Sequence, residues 1–275
     1  MGTAEFLITF RETLEAALVV GIVYTFLVKS ERTELLPKLW NGVAAALAAS
    51  VFAALIIQLV AGGLTGRGEE IFEGTVMILA AVILSTMIVW MARNKNVSRH
   101  IENRARSAIT GNLGAGVGIF ALAFVAVLRE GVETVLFLYG VTINQGGLSL
   151  ATSVTGSLAA VVIGYLIFSQ GRKLPLKTFF DVSSILLILL AAGLIAHGIH
   201  EFEEAGLIPY AGALWDINPP RLPNGNYPLL HEKGLLGSIA AGLFGWNGNP
   251  SLPEVAAWLA SVTGITALWR QASLN

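Results

Sequence analysis

The chain alternates between long apolar stretches and short polar ones, and the polar stretches collect most of its charge. The apolar runs cover about 5–29, 38–62, 70–93, 114–141, 150–170, 181–200 and 253–270. A helix crosses a hydrocarbon core of ~30 Å with ~20 residues rising ~1.5 Å each, so the pattern predicts seven transmembrane helices. The runs do not alternate with the two-residue period of a strand, and each is too long for a barrel strand. The expected fold class is an all-α polytopic membrane protein, one membrane domain over 1–275. Within it, 1–93 holds three helices, 94–113 a basic cytoplasmic loop, and 114–200 three more helices. Residues 201–252 form an extracytoplasmic segment, and 253–275 the seventh helix with a short tail.

Two apolar runs are interrupted by the same charged phrase: "RETLE" at 11–15 and "REGVE" at 129–133. Each opens a group of three helices. Because three is odd, the second group must cross the membrane in the opposite sense to the first. The expected layout is two inverted three-helix repeats plus a C-terminal helix, an arrangement whose sites sit near the midplane between the repeats. Both phrases lie about ten residues from the same membrane face, or ~15 Å deep, and can meet at one depth.

Composition sharpens this picture. Hydrophobic residues make up 55% of the 275, and charged residues 13%, against ~25% charged in a typical soluble domain. The net charge of −1 is uninformative, but its distribution is not. Twelve Lys and Arg fall on one set of loops: Lys29, Arg32, Lys38, Arg93, Lys95, Arg99, Arg104, Arg106, Arg172, Lys173, Lys177 and Arg270. Only Arg67, Arg221 and Lys233 fall on the other. The positive-inside rule then predicts N-out/C-in, which requires an odd number of spans. The start, "MGTAEFLITF", has neither a basic n-region nor a small-residue cleavage site, so no removable signal peptide is expected. Cysteine is absent, which removes disulfides and thiolate metal ligands. Any metal handled here meets carboxylate, imidazole, carbonyl and water.

On a helix, Arg11, Glu12 and Glu15 fall within ~100° of arc, with Arg11 and Glu15 one turn apart; Arg129, Glu130 and Glu133 repeat the geometry. A charge at the bilayer centre costs ~2.5–3.5 kcal/mol on insertion scales, so six facing lipid would cost ~15–20 kcal/mol. They are expected to face the bundle interior. A buried ion-pair clamp between two helices would explain the charges structurally, but it leaves two carboxylates in excess, and an apolar pair usually holds helices as well. A midplane cation site accounts for the excess: Glu12, Glu15, Glu130 and Glu133 would meet the ion, and Arg11 and Arg129 would orient them. Two adjacent Glu can share a proton when no metal is bound, which would link transport to pH.

Further acids stand at the outer face. Glu69, Glu70 and Glu73 open the third run, where acids suit a helix N-terminus. In "AHGIHEFEEAG", His197, His200, Glu201 and Glu204 share one helical face, and acids at a helix C-terminus oppose the dipole. Together these are candidate metal-attracting groups of an outer funnel. Asp181, at the inner start of the sixth run, is a helix cap or an exit ligand. "GNLGAGVG" from Gly111 lacks the Lys-Ser/Thr of a phosphate loop and reads as the start of the fourth run. "GLLGSIAAGLFGW" is too short to span; it would lie at the interface or re-enter the bundle.

The paired R-E-x-x-E phrases, with "EEIFEGTVMILAAVILSTMIVWM" from Glu69, "HEFEEAG" from His200 and "NPSLPEVAAWL" from Asn249, resemble the high-affinity iron permeases. These are the oxidase-dependent iron transporters of fungi and the Efe-type permeases of bacteria. The resemblance runs from Phe6 to about Arg270, and the short tail suits a bacterial form. The second phrase has Val132 where the family more often has Leu, an apolar exchange. The resemblance implies seven helices in a bacterial cytoplasmic membrane, and import of iron as substrate with no permanently bound cofactor. It further implies Glu12, Glu15, Glu130 and Glu133 as the iron-handling carboxylates, and an external oxidase or iron-delivery partner that presents ferric iron. No nucleic-acid partner is expected. A broader divalent-metal or proton-coupled cation transporter would use the same carboxylates. A di-iron enzyme of the bundle type is disfavoured, because no Glu has His three residues later.

Overall fold

The computed structural model describes residues 3–93, 97–111, 114–145, 147–170, 176–210, 212–218, 227–231 and 235–274. Among these the fold is helical and contains no strand, only an isolated bridge between Ala213 and Ser251. The helices are α1 (Thr3–Lys29), α2 (Leu36–Gly62), α3 (Arg67–Arg93), α4 (Val97–Thr110), α5 (Ala115–Gln145), α6 (Leu150–Gln170), α7 (Leu176–Glu204), α8 (Leu235–Phe244) and α9 (Leu252–Leu274). Their ends follow local chemistry. Pro37 sits in the first turn of α2, where its missing N–H costs nothing. Glu69 and Glu70 open α3 and Arg93 closes it, each matching the helix dipole. The α9 start is a capping box: Ser251 Oγ accepts from Glu254 N at 3.3 Å, and Ser251 N donates to Glu254 Oε1 at 3.0 Å.

Six helices are long and apolar enough to cross a membrane: α2, α3, α5, α6, α7 and α9. α1 has the length, 27 residues, but Glu5, Arg11, Glu12 and Glu15 lower its apolar character. α5 and α7 run past the expected limits, and α7 takes in the acids at 201–204. The stretch 94–113, expected as a loop, contains α4. Its Ile101 and Ala105 are buried, and Ala108 and Ile109 pack beside them against α1 and α5. The recurrence at four, seven and eight residues is an amphipathic helix, which the density of basic residues concealed. The basic positions Lys95, Arg172, Lys173, Arg221 and Lys233 lie outside the described residues, as do Pro219, Pro220 and Pro223.

The helices associate in a crossed pattern. α1 packs on α6, α2 on α5, α3 on α7, and α1 meets α5. Small residues make these seams. A methyl on Gly42 would meet Phe120 O at 2.6 Å, Ala46 is buried one turn on, and Gly131 of α5 lies against Ser50. On α6, Gly156 lies against Thr9, Ala160 is buried, and Gly164 faces Ala17. Gly74 and Gly198 meet where α3 crosses α7. The order of these contacts makes α1 and α6 parallel and α2 and α5 parallel, while α3 and α7 run antiparallel. α1 and α5 therefore point in opposite senses. α8 is short and lies against α7, α5 and α1, as a re-entrant segment would. The turn after it closes at Gly245, where φ is +68° and the backbone touches Gly193 of α7.

Candidate functional site: converging charged phrases on α1 and α5

The crossing of α1 and α5 brings the two charged phrases together. Arg11 is buried, with Nη1 2.9 Å from Glu12 Oε1 and Nη2 3.0 Å from Glu15 Oε1. Its guanidinium also donates to two sulfurs of α3, Met87 Sδ at 3.2 Å and Met91 Sδ at 3.0 Å. The i, i+4 spacing supplies the Glu15 pair, while α3 supplies soft acceptors to Nη1 and Nη2 and leaves the buried Nε without a partner. On α5, Arg129 Nε donates to Glu133 Oε1 at 2.7 Å. Glu12, Glu130 and Glu133 are buried and can each offer an oxygen within 4.8 Å of the other two. Glu12 Oε2, Glu130 Oε2 and Glu133 Oε2 have no hydrogen-bond partner. Glu15 interacts electrostatically with Glu12, Glu130 and Glu133 from the edge of this group.

The expectation that all six charges face inward is corrected at one position. The Arg129 side chain is 46% exposed, and its guanidinium lies 5.7 Å from the ring centre of Trp90. Its tether to Glu133 and the indole face hold it at the rim of the α3–α5 seam. Of the six charges of the two phrases, the four carboxylates and the Arg11 guanidinium lie inside.

A second group forms where α7 meets α9. His200 Nδ1 lies 3.1 Å from Glu254 Oε1, and Nε2 3.3 Å from Glu204 Oε1. His200, Glu203 and Glu254 can also bring ligand atoms within 4.8 Å of one another. Glu201 interacts with Glu73, Glu204 and Glu70, so the start of α3 and the end of α7 share one acidic face, with Glu69 beside Glu73. His197 Nδ1 lies 3.1 Å from Gly193 O of its own helix and belongs to neither three-residue group. The Asp181 side chain lies outside the described residues.

Sequence reasoning missed Glu203, Glu254 and Glu5. Glu254 had a readable signal, the S-x-x-E of "SLPE". Glu203 sits ~60° to one side of His200 and Glu204 ~40° to the other, so a face drawn through the rest excluded it. Glu5 is buried on α1 and accepts from Ser149 N at 3.4 Å, just before α6 begins. It gave no signal beyond an acid in a first turn.

Fold and site define a polytopic helical membrane protein with a buried carboxylate cluster at the crossing of two of its helices. The iron permease FTR1 family matches residues 2–270, and the chain belongs to that family, one of transporters rather than enzymes. It is 32% identical to the ferrous iron permease EfeU of Yersinia pestis over 256 residues, 92% of this chain and 88% of that protein. It is 33% identical to the ferrous iron permease EfeU of Escherichia coli O6:H1, over 92% of this chain and 90% of that one. No solved structure gives a significant match.

Proposed function

We propose that this chain is an iron permease that carries iron across a bacterial cytoplasmic membrane, between the carboxylates of α1 and α5. One observation carries the reading: three buried carboxylates from two crossing helices lie within ligand reach, each with an oxygen lacking any partner. Burying several carboxylates together with bare oxygens is costly even where an arginine pairs the other oxygen, and a polyvalent cation would offset that cost. Hard oxygen donors without thiolate suit iron in either common oxidation state. Arg11 ties Glu12 and Glu15 together and keeps the cation-free site tolerable; Arg129 does the same for Glu133 from the rim.

In this reading α1 is the seventh span, crossing through its buried charges, and the protein lies N-out/C-in. Support comes from the basic residues of the α1–α2 turn and of α4. The crossed packing supports two inverted repeats, α1–α3 and α5–α7: exchanging the repeats turns the α1–α6 pair into the α5–α2 pair and returns α3–α7 and α1–α5 to themselves. The acids of α3 and α7 form the outer mouth. An extracytoplasmic oxidase or delivery protein supplies the ion there. The resemblance pointed to ferric iron, whereas the relatives' name specifies ferrous iron, so the assay supplies both.

The test is radioactive iron uptake into proteoliposomes, as reduced ferrous or chelated ferric ion, with manganese as competitor. Uptake is expected to be lost in Glu15→Gln and Glu133→Gln at normal protein levels. Uptake that survives both changes returns the charged phrases to an ion-pair clamp.

A further inference from the structure

We propose that His200, Glu203 and Glu254 form a second cation site, for a divalent first-row metal ion, between the end of α7 and the start of α9. Glu203 is the residue that calls for it. Its side chain is only 6% exposed. Ser251 Oγ donates to its Oε2 at 2.7 Å, but Oε1 has no partner, and no basic side chain pairs with it among the described residues. Glu254, 2% exposed, needs no metal for its own sake: the capping box and Asn247 Nδ2 at 2.8 Å account for it. Glu203 has no such account. A carboxylate with a bare oxygen, held in a buried seam beside a second carboxylate and an imidazole, is a ligand set.

The histidine is oriented as a metal ligand is. Nδ1 faces Glu254 and Nε2 faces Glu204. In the ion-free protein Nδ1 donates to Glu254 Oε1 at 3.1 Å; an ion held by Nδ1 and the two buried carboxylates would take that proton's place, while Glu204 keeps the proton on Nε2. A carboxylate behind the ring in this way fixes tautomer and orientation in metal-bound histidines. Neutral imidazole with two carboxylates sums to two negative charges and matches a divalent ion. Mixed nitrogen and oxygen donors suit first-row metals better than magnesium or calcium. His200 is partly exposed and stands beside the acidic face of Glu73, Glu201 and Glu204, so an ion reaches the site from that face. The site differs in kind from the one between α1 and α5, which offers oxygen alone. It depends on the permease reading only for the direction in which an ion would move on.

The test is pulsed electron paramagnetic resonance on the purified full-length chain in detergent, titrated with manganese(II). Imidazole-nitrogen modulation is expected in the wild type and in Glu133→Gln, and its loss in His200→Gln. A triple His100→Gln, His197→Gln, His231→Gln variant, which leaves the site intact, is expected to keep it. Glu203→Gln keeps the side chain's size and is expected to weaken manganese binding at this site about tenfold or more. No nitrogen modulation at saturating manganese overturns the proposal. So does modulation that survives His200→Gln or disappears in the triple variant, and so does unchanged affinity in Glu203→Gln. Iron uptake by Glu133→Gln is measured in parallel. If that uptake is normal, the route through the α1–α5 carboxylates fails while the spectrum still decides this site.

Discussion

Arg11 illustrates how one residue can be tested for two roles. It is buried against Glu12 and Glu15, so Arg11→Leu strips compensation from both carboxylates. Removing one partner of a buried pair typically costs ~3–5 kcal/mol, and the protein's thermal midpoint in detergent is expected to fall accordingly. Arg11→Leu combined with Glu15→Gln is expected to recover part of that loss; a double variant no more stable than the single one would show that Arg11 holds the fold by packing alone. Glu12→Gln makes the opposite expectation, since it removes one of several clustered carboxylates while Arg11 keeps Glu15 as its partner. Its thermal midpoint is expected to hold, while the rate of iron uptake into proteoliposomes falls at least tenfold, about 1.4 kcal/mol or more in activation free energy. The charges at both phrases were legible as residues. That Arg129 would sit at the rim over Trp90 was not, because a helical wheel shows what shares a face and not what stands opposite it.

Glycine spacing carries the next scale. Gly164 of α6 faces Ala17, where a β-carbon would stand 2.9 Å from the Ala17 methyl, whereas a β-carbon on Gly264 of α9 meets nothing within 4 Å. Gly164→Leu is expected to separate α6 from α1 and abolish accumulation of folded protein, measured as monodisperse yield in detergent. Gly264→Ala is expected to be neutral or stabilising by up to ~1 kcal/mol, since it only removes a glycine from a helix interior. Equal yields from the two would mean that the α1–α6 seam is not set by close approach. Both glycines read alike in the sequence. The α4 segment shows the converse: its apolar stripe was present, but the basic residues around it led to a loop. Ile101 and Ala105 become helical because α1 and α5 offer an apolar surface to bury them.

At the scale of the whole molecule, the absence of cysteine makes orientation directly measurable. A single cysteine at Thr65 is expected to react with a membrane-impermeant maleimide in intact cells. One at Glu31 or Ser273 is expected to react only after permeabilisation. The reverse pattern would invert the assigned direction of transport. The sequence by itself determined that the chain is helical and membrane-embedded, roughly where its apolar runs lie, and which charges are too costly to face lipid. Those properties follow from hydropathy and helical period, which act over one or two turns. Only the tertiary structure decided that α1 pairs with α6 rather than α2, and that three carboxylates of α1 and α5 share one small space. It also decided that Glu203 finds Glu254 across 51 positions of sequence. Such pairings depend on which helices approach closely, and that is settled by the matching of small residues between helices distant in the chain, which no local pattern encodes.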